Sequence, residues 1–75
     1  MKAIETKYLP ATDCRGSRYK AFDCDNNSVI LAPNPGLDSV SQHRRVAEAL
    51  RDKMNWTGEL IGGATKHGYA FVFLT

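Results

Sequence analysis

The chain has 75 residues, 43% of them hydrophobic and 24% charged, with a formal net charge of +2. That composition is ordinary globular usage and leaves room for one domain with one small core, which argues against disorder, repeats or a second folding unit. The charge is spread evenly: Lys2, Lys7, Arg15, Arg18 and Lys20 stand against Glu5, Asp13, Asp23 and Asp25 before residue 38, and the same five-to-four balance holds from Asp38 onward, so no half of the chain is a polybasic arm or an acidic tail.

From Lys2 to Leu9 the residues alternate, with Ile4, Thr6 and Tyr8 on one side and Ala3, Glu5, Lys7 and Leu9 on the other, the pattern of a half-buried first strand ended by Pro10. Ala11 to Gly16 has turn composition. A second strand is expected from Ser17 to Cys24, with Tyr19 and Ala21 on one side and Arg18, Lys20, Phe22 and Cys24 on the other; either side could be the buried one. Asp25-Asn26-Asn27 suits a tight turn, and Ser28 to Ala32 is a short third strand, so the first three strands read as a meander. Pro33, Asn34, Pro35 and Gly36 then stop the sheet.

Ser39 to Trp56 is the one segment with helical spacing, its stripe formed by His43, Val46, Ala47, Leu50 and Met54. Ser39 and Gln42 have the spacing of a capping box, with Asp38 as the competing cap, and Asn55 or Gly58 is placed to end the helix. Trp56 is expected to fold back on the core. Glu59 to Ala64 reads as a fourth strand in which Gly62-Gly63 marks a bulge or a close backbone approach. Tyr69 to Leu74, apolar on both sides, is expected to be an interior strand. The expected fold is α+β in two layers: an antiparallel five-stranded sheet, β-β-β-α-β-β in chain order, with one helix across one face. One helix cannot cover five strands, so the other face stays open.

Chemistry-bearing residues are sparse. Cys14, Cys24, His43 and His67 match no zinc spacing and no thiol–imidazole signature, and two cysteines separated by an extended strand read as free thiols in a reducing cytoplasm. No cofactor is expected, and no catalytic residue. His43, on the apolar stripe, reads as a packed, hydrogen-bonded histidine. Gly62-Gly63 ahead of Lys66 lacks the frame of a phosphate loop. No apolar run is long enough to span a membrane. What remains for binding is the turn and strand with Arg15, Arg18, Tyr19 and Lys20, and Arg44-Arg45 early in the helix. Arginine forks suit anions and a tyrosine suits stacking, whereas surface pairing of Arg44 and Arg45 with Glu48 is the plainer account of that pair.

Lys7-Tyr8-Leu9-Pro10, Thr12, Arg15-Gly16-Ser17-Arg18 and Lys20-Ala21, with His43-Arg44 ahead of Ala47-Glu48-Ala49-Leu50 and Asn55-Trp56 ahead of Gly58, Leu60 and Gly62-Gly63, resemble a set of short uncharacterised proteins from bacterial genomes, prophages and plasmids. The resemblance covers nearly the whole chain and implies context rather than chemistry: compact phage and mobile-element proteins act by binding, among them anti-CRISPR inhibitors of host defence and small nucleic-acid binders. The expectation is therefore a non-enzymatic cytoplasmic protein whose partner is a host protein or nucleoprotein complex. The alternative is direct DNA or RNA binding through Arg15 to Lys20 and Arg44/Arg45. Monomer and homodimer are both compatible with a half-covered sheet.

Overall fold

The computed structural model describes residues 3–14, 16–66 and 68–74. In chain order it has β1 (Ala3–Leu9), β2 (Arg18–Phe22), β3 (Ser28–Leu31), α1 (Ser39–Lys53), β4 (Glu59–Ala64) and β5 (Gly68–Leu74). The strands form one antiparallel sheet in the order β3-β2-β1-β5-β4. This is the α+β two-layer fold, with the β1–β3 meander and an interior β5.

Register decides which side of each strand is buried. Tyr8 opposes Tyr19 and Thr6 opposes Ala21, while Ile4 opposes Phe71 and Leu60 opposes Phe73, so these residues share the face under the helix. Tyr19 and Ala21 are thus the inward pair of β2, which its own alternation left open. From the other side α1 lowers Gln42, His43, Val46, Ala47 and Leu50 onto that face. The core they close contains Ile4, Ala21, Val46, Ala47, Leu50, Leu60 and Phe71, with Trp56 packed against it.

The helix ends show which local signals prevail. Asp38, not Ser39, is the N-cap: its carboxylate accepts from the Ser41 amide at 2.8 Å, the first-turn bond that an aspartate one residue earlier can make. Gln42 is freed from any capping box and holds the incoming chain instead. Its Oε1 accepts from the Asn34 amide at 3.0 Å and its Nε2 donates to the Asn34 carbonyl at 2.6 Å. At the other end the helix stops at Lys53, and of the two expected terminators it is Asn55, not Gly58, that ends it. Asn55 takes φ 58°, the Asn55 amide donates to Asp52 O and the Trp56 amide to Arg51 O, the paired bonds of a Schellman motif with asparagine in the left-handed position.

β4 pairs with β5 without interruption from Glu59 to Ala64, so Gly62 marks no bulge. It is a close approach: a Cβ there would run into the Phe71 ring. Gly68 is required for the same reason, because a Cβ would meet the Thr6 carbonyl oxygen.

Candidate partner-binding face

The face turned away from α1 carries the odd-numbered residues of β1 and β4 and the even-numbered residues of β2, β3 and β5. Read across the register, Lys7 stands directly opposite Lys20, Leu9 opposite Arg18, and Glu5 opposite Phe22. Ala3 neighbours Val72, which neighbours Ile61. The result is a basic corner on β1–β2 and an apolar corner on β1–β5–β4.

Two lysines directly opposed across antiparallel strands repel, by about 0.2–1 kcal/mol, so their pairing with one another does not favour the fold. Both ammonium groups lie 5.7 Å from the centroid of the Phe22 ring, close enough for the ring's negative face to hold them. Neither pairs with Glu5 among the described residues. Beside them opens a cleft of about 530 Å³ whose lining includes Lys7, Phe22, Glu5 and, from the β4–β5 turn, Thr65 and Lys66. Arg18 lies on the same face with its Nε buried and without a hydrogen-bond partner, a state that costs about 1–3 kcal/mol for a polar group. At the other corner Ile61 and Val72 are 51% and 43% exposed, an uncovered aliphatic pair of the kind that protein contacts bury.

The residues singled out in the sequence do not form one site. Arg18 and Lys20 sit on the open face, and Arg15 lies outside the described residues, as does His67. Tyr19 faces α1, where it stacks edge-on against both Tyr8 (5.2 Å) and His43 (5.0 Å). Arg44 donates to the Leu60 carbonyl at 3.0 Å and lies over the Phe71 ring, and Arg45 donates to the Ala32 carbonyl at 3.0 Å. Neither reaches Glu48, so the expected helix-surface pairs give way to bonds with strand carbonyls. Lys7, Phe22 and Lys66 are the members that sequence reasoning missed. Alternation set Lys7 on the polar side of β1 and grouped Phe22 with Arg18 and Lys20 without deciding which side of β2 is buried, and only the β1–β2 register brings Lys7 beside Lys20.

The second cluster lies under the helix. Thr6 Oγ1 donates to the Tyr69 carbonyl at 3.3 Å and therefore accepts from His43 Nδ1 at 2.7 Å, which assigns the proton to Nδ1. Tyr19 and Tyr69 flank the imidazole at ring distances of 5.0 and 4.7 Å, and burial holds its pKa below the ordinary 6.5. This is the packed histidine that its place on the stripe implies. Cys14 and Cys24 are both free and exposed.

No helix among the described residues is long and apolar enough to cross a membrane. Comparison of the chain with models of protein families, with curated proteins and with solved structures finds no match in any of the three.

Proposed function

We propose that the chain is a small non-enzymatic binding protein of phage or mobile-element type that engages a host protein through the open face of its sheet. The partner we assign to it is a component of nucleic-acid-targeting machinery of the CRISPR kind. The observation that carries the reading is the pairing of two surfaces on one face: the exposed row Ala3, Val72 and Ile61 beside Lys7, Lys20 and Arg18 around Phe22. Aliphatic surface next to forked and point cations suits an acidic protein patch with an apolar centre. The choice of machinery rests on the resemblance to short phage and plasmid proteins.

A second reading, binding of single-stranded DNA or RNA, is favoured by one feature: an aromatic ring set between lysines on an open sheet offers a stacking platform with phosphate partners. One experiment separates the two. Purified RNA-guided nuclease complexes are assayed for target cleavage with and without the protein, and fluorescence anisotropy follows labelled single strands over a salt series. The protein-contact reading expects inhibition that is lost in Lys7→Glu/Lys20→Glu and in Ile61→Asp/Val72→Asp, with no anisotropy change. Binding of free strands that falls steeply as salt rises, and that depends on Phe22, would replace it with the second reading. Inhibition that survives both double variants would overturn the choice of face.

A further inference from the structure

An open sheet has two edges, and main-chain groups left free on an edge invite another strand. α1 guards the two edges of this sheet unequally. At β3 the amide of Asp23 donates to Asn27 O at 3.1 Å, which turns that pair inward and leaves the main-chain groups of Ser28, Ile30 and Ala32 pointing out. Lys53 Nζ takes the Ser28 carbonyl and Arg45 the Ala32 carbonyl, both at 3.0 Å. At β4 the Thr65 amide donates to Gly68 O at 2.7 Å, so the odd-numbered residues face β5 and Leu60, Gly62 and Ala64 face out. Arg51 takes the Gly58 carbonyl at 3.1 Å and Arg44 the Leu60 carbonyl at 3.0 Å. Among the described residues no side chain reaches Gly62 or Ala64, and every residue from Ile61 to Lys66 is exposed.

We propose that this unguarded half of β4 is the contact between two copies of the chain, paired antiparallel about a two-fold axis at Gly63 so that the two sheets become continuous. In that register Gly62 of each copy exchanges main-chain bonds with the partner's Ala64, and the bond from Arg44 to Leu60 stays in place. Gly63 meets the partner's Gly63 at the axis, where opposed residues come within about 4.5 Å. A Cβ on Gly63 would touch nothing in its own copy, so the fold itself does not demand glycine there. Charge selects a second copy as occupant. Glu59 and Lys66 stand at opposite ends of the strand, and the antiparallel two-fold brings each glutamate to the end that bears the partner's lysine, twice over.

A strand-edge interface falls below the roughly 1,200 Å² of stable complexes, so dissociation is expected on the order of 100 μM. Sedimentation equilibrium across that range should show the average mass rising from 8.3 kDa toward twice that value. Ala64→Pro removes an outward amide and no internal bond, a change that edge strands tolerate, and should leave a folded monomer. Ile30→Pro, the matching change on the β3 edge, should leave the dimer intact. Glu59→Lys should weaken association about tenfold, and Glu59→Lys/Lys66→Glu should restore it, which decides the matter even if the proline variant does not fold. A wild-type protein that stays monomeric throughout, a folded Ala64→Pro that dimerises unchanged, or a charge swap that fails to rescue would each overturn the proposal. It does not rest on the open-face reading: a strict monomer that still binds through Lys7 and Lys20 sinks the dimer alone.

Discussion

Replacing Thr6 by valine keeps the shape of the side chain and removes one hydroxyl. Thr6 and His43 are 2% and 5% exposed, so the Nδ1 proton that loses its 2.7 Å acceptor has no water to turn to. A buried donor left unsatisfied costs about 1–3 kcal/mol. The longer bond from Thr6 to the Tyr69 carbonyl, 3.3 Å, adds little, and a central figure of about 2 kcal/mol follows. In a domain of this size that amounts to a fall in Tm of roughly 8–16 °C, read by thermal denaturation followed by circular dichroism and checked by urea titration. The control is a double-mutant cycle. In a His43→Phe background the imidazole donor is gone, so Thr6→Val should cost little there, and the two changes should be strongly non-additive. A loss under about 0.5 kcal/mol in the wild type, or an equal loss in both backgrounds, would refute the assignment of that hydrogen bond.

Burial holds the His43 pKa below 6.5, so the folded state takes up its proton later than the unfolded chain. Stability is therefore full above about pH 6.5 and declines as pH falls through the interval down to the folded value; a urea midpoint series from pH 7.5 to 5 should show the decline, and His43→Phe should flatten it. The Ser41 amide lowers the Asp38 pKa from 3.8, so the cap stabilises above that pH and its contribution fades as pH falls through the lowered value, a limb missing in Asp38→Ala. Gly62→Val drives side-chain atoms into the Phe71 ring and should cost about 1–3 kcal/mol in denaturant titration. Lys20→Glu turns a like-charge pair with Lys7 into an attractive one, worth about 0.2–1 kcal/mol, and removes the contact of Lys20 with the Phe22 ring, worth about 0.5–1 kcal/mol, so it should leave stability nearly unchanged while abolishing partner binding. A variant as stable as the wild type and fully active would show that the lysine pair serves no partner.

The layer architecture was legible because alternation in β1 and β5 and the stripe from His43 to Met54 leave few ways to bury apolar residues. Strand-by-strand alternation could not place β2, since Tyr19 and Phe22 are both apolar choices; only pairing with Tyr8 and Leu31 puts Tyr19 inside. Helix ends were narrowed to two candidates each and no further, because Asp38 and Ser39 can both cap the first turn and Asn55 and Gly58 can both take the left-handed conformation; the structure uses Asp38 and Asn55. The site was less visible because it depends on register. Arg44 and Arg45 look alike in sequence, next to Glu48, yet one reaches toward β4 and the other to the chain just beyond β3, to carbonyls that no local pattern reveals. Lys7 belongs to the site only because β1 runs antiparallel to β2 with Lys20 as its counterpart.

The open face is the claim on which the functional account stands, and a comparison of two double variants in the nuclease-inhibition assay tests it most directly. Lys7→Glu/Lys20→Glu should abolish inhibition with the fold intact by circular dichroism, whereas Arg44→Gln/Arg45→Gln, which alters cations on the helix that bond to backbone carbonyls, should retain it. The reverse pattern, inhibition kept without the lysines and lost without the arginines, would place the contact on the helix layer and contradict the account.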